Sequence, residues 1–363
     1  MYCGIKYMAR GGCASLAGIL IVLCAVVAPG CNAVDEPAPS GAVGAVGDDS
    51  PSGASDEDYV STPVGLMHRS CVHAVADGGK LDAAERIVAP GGGSIGGSVG
   101  GSVGAAPCAY PRRPAHRDTS VVSAPGVTAS AANPKADTSR WTEFVGGIAV
   151  ANSFGFDWIN QFTGRWRVPL TPRSYTGQTI YVFMGLEPDN GSAMMMMTAQ
   201  YGPSAAGGGN SWGTVDWYLA STGNIYHSAL QSAKQGDVLQ GTMRAYECPD
   251  NSGVCTWSMS LWNFGGPGVQ TTIVTGLNVV TTEVFRFVAK GAIDAINVHN
   301  CDGLPVEQDT GATFWDEVVY MPGPTPFSSN DVTLGIPWFG QVNSSGCSFG
   351  VFDNGNGVDL FWD

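Results

Sequence analysis

Charge is scarce in this sequence. Asp, Glu, Lys and Arg make up 13% of its 363 residues, and only 5 residues are histidine. With 17 Lys and Arg against 31 Asp and Glu, nucleic acid and anionic membrane surfaces are poor partners for the folded part. The imbalance lies late in the chain, where Trp141 to Asp363 hold 19 acidic and 7 basic side chains. No H-E-x-x-H motif occurs, and His227 and His299, the histidines of that stretch, sit in different segments. A zinc peptidase or a serine triad therefore lacks ligands or a base. The pattern G-x-S-x-G does occur, as Gly92-Gly93-Ser94-Ile95-Gly96 and in the repeats that follow. A nucleophile elbow, however, needs a strand before it and a helix after it, and this low-complexity tract supplies neither. The stretch Asp353 to Asp359 lacks the ligand spacing of a calcium loop and reads as a turn. No metal and no cofactor is expected. The one long apolar run, Leu16 to Ala28, is too short to cross a membrane comfortably. No sustained 3.6-residue apolar period follows it, so helices should be few.

What is present divides the chain in three. A basic start with Lys6 and Arg10, followed by Leu16 to Ala28, reads as an export signal over residues 1–31. It ends in Ala28-Pro29-Gly30-Cys31, which resembles the lipobox of bacterial lipoproteins and implies a lipid on Cys31 as the only membrane contact, in the cell envelope or outside it. Residues 32–137 are rich in Gly, Ser, Pro and Ala and read as a flexible linker, with a basic pro-segment as the alternative, because such composition buries little apolar surface. Residues 138–363 hold the working domain. Export places the cysteines in an oxidising compartment, so Cys71, Cys108, Cys248, Cys255, Cys301 and Cys347 are disulfide candidates. Cys248 and Cys255 flank a turn-rich loop, which leaves Cys301 with Cys347, while Cys71 and Cys108 could close a bridge outside the main domain.

After Arg140 short runs of aromatic and β-branched residues alternate with Gly, Pro, Asn and Asp clusters. That is the pattern of an all-β, two-layer antiparallel sandwich. Strands are expected over 179–186, 237–246, 256–262, 269–274 and 282–288, and Trp166-Arg167-Val168-Pro169 should open the first regular strand. Strand alternation puts Met194, Met196, Thr198 and Gln200 on one face and Met195, Met197 and Ala199 on the other. A carboxamide on an otherwise apolar face needs partners or a job. The same alternation groups Glu283 with Phe285 and Phe287, where a carboxylate is costly to ionise without partners.

The order Trp166-Arg167-Val168-Pro169, Tyr181 to Glu187, Ala199-Gln200-Tyr201-Gly202, Asp216-Trp217-Tyr218, Gln235 to Val238, Ser258 to Asn263 and Thr282-Glu283-Val284-Phe285 resembles the glutamic peptidases called eqolisins, over about 160 residues. The resemblance implies a concanavalin A-like jelly roll with a catalytic Gln and Glu on its concave face. By motif position these are Gln200 and Glu283. The implied activity is that of an acid-acting endopeptidase on polypeptide substrates: Glu283 activates a water as general base and Gln200 stabilises the oxyanion. Glu187, Trp212, Trp217 and Tyr218 would line the substrate groove. The chain departs from the family at Pro203 and Ser204, where an Asp is usual, and at Phe287, where a second acid is usual. Two other readings stay open. One is a non-catalytic surface module binding glycans or peptides, and the other is a glycosidase pairing Glu283 with Glu187 or Asp216. A monomer is expected.

Overall fold

The computed structural model describes residues 55–90, 106–113, 142–149, 158–246, 248, 255–265, 272–306, 312–322, 329–333, 336, 338–342, 347, 349–353 and 357–362. Among them regular structure is β throughout, apart from single 3-10 turns. Early in the chain lie β1 (Tyr59–Thr62), β2 (Gly65–His68), β3 (Val72–Ala74), β4 (Lys80–Leu81) and β5 (Ile87–Val88). The middle supplies β6 (Glu143–Ile148), β7 (Gln161–Arg167), β8 (Thr179–Pro188), β9 (Met194–Tyr201), β10 (Trp212–Leu219), β11 (Ile225–His227) and β12 (Gln231–Ser232). Then follow β13 (Val238–Tyr246), β14 (Cys255–Gly265), β15 (Thr272–Thr281) and β16 (Phe285–Ile296). The last are β17 (Ala312–Pro322), β18 (Ser329–Asp331), β19 (Trp338–Val342), β20 (Gly350–Asp353) and β21 (Gly357–Phe361).

All strands but β1 and β2, which pair with each other as a separate hairpin, form two layers. A nine-stranded sheet runs β19-β6-β16-β8-β9-β10-β11-β3, with β12 beside β10. A ten-stranded sheet runs β20-β21-β17-β7-β13-β14-β15-β4-β5, with β18 beside β17. Pairing is antiparallel except where β3 joins β11 and β4 joins β15. The period-2 pattern explains the packing. Ile180, Val182, Met184, Leu186, Met195, Met197 and Ala199 turn inward and share a core with Trp166, Leu239, Met243, Met259 and Leu261 of the facing sheet. Tyr181, Phe183, Met194, Met196, Val215, Trp217 and Phe287 turn outward into a second cluster, joined by Val64, Met67 and Cys71 from the N-terminal part. Strands β8, β9 and β10 are therefore buried on both faces. Each large apolar side chain so placed contributes roughly 1.5–3 kcal/mol.

The two-layer sandwich is as expected, but several boundaries are not. Trp166 and Arg167 end β7 instead of opening a strand, and β6 precedes it. Strand β16 begins three residues later than the expected 282 and runs to Ile296, and β15 runs on to Thr281, past the expected 274, while residues 269–271 lie outside the described ones. The expected linker 32–137 is corrected for its described part: 55–90 carries five strands, three of them in the main sheets, and Arg113 bridges Leu66. Main-chain pairing with a preformed sheet edge compensates for what this segment lacks in apolar content. Disulfides join Cys71 to Cys108, Cys248 to Cys255 and Cys301 to Cys347. The first lies in the covering segment packed on the nine-stranded sheet, not outside the folded body. The export signal and Cys31 fall outside the described residues.

Candidate functional site

Gln200 sits near the end of β9, 1% exposed, on the outer face of the nine-stranded sheet. Its Nε2 donates to the carbonyls of Gly202 at 3.1 Å and Gly207 at 3.0 Å, and its Oε1 accepts from Ser204 Oγ at 2.9 Å. Both N–H donors and the oxygen of its side chain are thus engaged in shaping the loop after β9. Gly208, with φ +102°, lies against this amide, where an added Cβ would come within 2.8 Å of Nε2.

Glu283 lies elsewhere. It sits in the crossing from β15 to β16, half-buried, and its Oε2 accepts from Ser192 Oγ at 2.9 Å. Ser192 belongs to the turn from β8 to β9, eight residues before Gln200. At the rise of an extended chain that separation is about 25 Å. The structure therefore does not bring Gln200 and Glu283 together. Two features separate them. The chain changes sheets between Thr281 and Phe285, and a register shift between Phe285 and Phe287 breaks the alternation that grouped Glu283 with Phe287. Phe285 consequently packs in the inner core and Phe287 in the outer cluster.

The remaining groove residues are buried. Glu187 and Trp217 are both 0% exposed on the outer face. Trp212 and Tyr218 belong to the inner core, where Tyr218 donates to Thr281 Oγ1 at 3.3 Å and burial raises its phenol pKa. Asp216 is an inward-facing, buried carboxylate on β10, on the other side of the sheet from Glu187. None of the three aromatics presents a platform to solvent.

The outer face has its own polar row. Across three neighbouring strands the register aligns Asp294 of β16, Tyr181 of β8 and Gln200 of β9, all buried. The Tyr181 phenol shares a 3.1 Å hydrogen bond with Ser61 Oγ, and burial, together with nearby Asp294, raises its pKa. The carbonyl of Ser61 accepts from the Ala205 amide at 3.0 Å, so β1 is pinned from both sides. Beside this row the face is apolar, and there Thr198 Oγ1 and Trp217 Nε1 are buried with no hydrogen-bond partner. Tyr181, Asp294 and Ser61 were not singled out from the sequence. Alternation puts Tyr181 on the face opposite Val182, but only the pairing register sets it between Asp294 and Gln200.

No family model matches the chain, and none of the curated proteins matches it. Among solved structures it is similar to scytalidoglutamic peptidase with a peptide-based transition-state analog. The two are 13% identical at a TM-score of 0.38, over 61% of this chain and 98% of that one. It is also similar to SCP-B, a member of the eqolisin family of peptidases, in complex with the tripeptide Ala-Ile-His. That pair is 12% identical at the same TM-score, over 61% and 98% of the respective chains.

Proposed function

We propose that the protein is an exported polypeptide-binding β-sandwich that holds an extended segment on the outer face of its nine-stranded sheet, and that its own N-terminal segment fills that face in cis. The observation that carries this reading is the seating of that segment. Ser61 ties β1 to Tyr181 and Ala205, while Val64, Met67 and Cys71 complete the apolar cluster built by Phe183, Met194, Met196, Trp217 and Phe287. Addition of β3 beside β11 at the sheet edge supplies affinity through the main chain, and the apolar face supplies selection through side chains. Lipid attachment at Cys31 belongs to the same reading and rests on the basic start, the apolar run and the small residue before that cysteine. The three disulfides are consistent with an exported protein.

The sequence-based alternative, an acid-acting glutamic endopeptidase with Gln200 and Glu283 sharing one water, is disfavoured by the separation of that pair. A peptidase reading retains support from a different observation, that Asp294 and Glu187 are carboxylates on the same face as Gln200. One experiment separates the two. Full-length protein and a Val64→Asp, Met67→Asp variant are mixed with a labelled peptide of sequence 59–74 and, separately, with an unfolded protein at acidic to neutral pH. Binding of the peptide by the variant but not the wild type, without cleavage by either, is the expected result. Acid-dependent cleavage that disappears in Asp294→Asn would replace the binding reading with the peptidase, and failure of the folded variant to bind would reduce the face to a structural surface.

A further inference from the structure

Between the two sheets lies a charged cluster that none of the foregoing uses. Lys290 of β16 is 0% exposed, and its Nζ is 3.1 Å from Asp353 Oδ1 of β20 and 3.5 Å from Glu317 Oε2 of β17. The Glu317 side chain is 1% exposed, and the Lys290 ammonium that faces it is shared with the closer Asp353. Two acids on one buried cation are expensive for a purely structural role, because a single shared charge does not offset the desolvation of both carboxylates.

The backbone is bent on both sides to produce this meeting. Strand β16 shifts register against both neighbours around Lys290 and Gly291, and β17 shifts register between Trp315 and Val318. In the second bulge Asp316 takes φ +52°, a left-handed conformation uncommon for a residue with a side chain, and Glu317 next to it turns inward. Gly164 of β7 leaves the room: a Cβ there would lie 3.1 Å from Glu317 Cγ. The Trp338 ring stands 4.5 Å from Lys290 Nζ and closes the amine off from water. Strained backbone that brings three reactive groups together, two of them fully buried, is a feature of sites that do chemistry.

We propose that Lys290 and Asp353 become joined by an intramolecular isopeptide bond, with Glu317 carrying the protons. Protonated Glu317 gives its proton to one Asp353 carboxylate oxygen and takes one from the Lys290 ammonium, and the free Lys290 amine then attacks Asp353 Cγ and forms the C–N bond. A second proton passes from the nitrogen to the same oxygen by way of Glu317, the C–O bond breaks, and that oxygen leaves as water. An ammonium and a carboxylate thus become an amide and one water, Glu317 ends as it began, and no external reactant is needed. Burial, opposed by Lys290, pushes the Glu317 carboxyl up to about 8, which lets it both give and take a proton near neutrality. Asp353, 23% exposed, offers the water an exit at the rim. The bond would join the nine-stranded sheet to the far edge of the ten-stranded one, independently of what the outer face binds.

Mass spectrometry of the full-length folded protein, reduced and digested, tests this directly. The expected result is a branched peptide pair containing Lys290 and Asp353, lighter by one water than the two peptides together. Asp353→Ala should abolish it, and Glu317→Gln should slow its appearance by about a hundredfold or more. Folded wild-type protein yielding only separate peptides of full mass would overturn the bond and leave an ion pair. Undiminished linkage in a folded Glu317→Gln variant would overturn the role of Glu317. The wild-type measurement is decisive even if a variant does not fold.

Discussion

Each polar atom of the Gln200 side chain is engaged by Gly202, Ser204 or Gly207. Gln200→Ala should therefore cost structure, because the Gly202 carbonyl loses its side-chain donor while the Gly207 carbonyl and the Ser204 hydroxyl each lose one of several contacts. A loss of about 1–3 kcal/mol is expected in denaturant unfolding, with faster hydrogen exchange confined to the 202–209 loop. Glu317 gives a prediction of opposite pH character to an ordinary paired acid. Burial lifts its carboxyl from 4.5 to about 8, against the pull of Lys290. The folded state keeps a proton that the unfolded chain releases, so this stabilisation is fully present below about 4.5 and is lost as pH rises through about 8. The melting temperature of the wild type relative to Glu317→Gln should accordingly fall between those two pH values. A flat difference would mean that Glu317 ionises normally. At this scale the sequence shows which face of β9 Gln200 occupies, because alternation is a local property. It does not show that Ser204 and the glycines consume the amide, since a loop's closure onto a side chain has no periodic signature.

Among the elements, β16 is where reading by alternation fails. Residues 282–288 look like one regular strand, yet Glu283 precedes it, Phe285 faces inward and Phe287 outward, because a register shift intervenes. A bulge adds one residue and reverses every assignment beyond it, and nothing in an apolar run marks its place. The hairpin of β1 and β2 and the short β3 were hidden for another reason. Strands of three or four residues with polar neighbours acquire order only from what they pair with, here Tyr181, Ala205 and β11. The Cys71–Cys108 disulfide closes 37 residues of this covering segment. Replacing both cysteines by serine should lower stability by about 3–4 kcal/mol on chain-entropy grounds. If the cover is what shields the outer cluster, the same variant should gain binding of an apolar dye at temperatures where the wild type binds none.

Seen as a whole, the molecule is a sandwich whose middle strands are apolar on both sides, and that composition fixes what the N-terminal segment must do. The all-β, two-layer architecture was legible because short β-rich runs separated by turn residues allow little else. The boundary near residue 138 was misplaced because composition marks where a core can nucleate, not where the fold stops recruiting chain. Removing residues 1–137 takes β3 from the nine-stranded sheet and β4 and β5 from the ten-stranded one, and takes Val64, Met67 and Cys71 off the outer cluster. Met194, Met196, Trp217 and Phe287 would then face water, an exposed patch of the kind that drives association. A protein of residues 138–363 is therefore expected to self-associate or to melt well below the full-length chain, in calorimetry and light scattering at matched concentration. The added peptide 59–74 should partly restore the melting temperature. If residues 138–363 are instead monomeric with an unchanged melting temperature, the outer face tolerates solvent, the segment is a dispensable addition, and the cis-occupied binding face loses its main support.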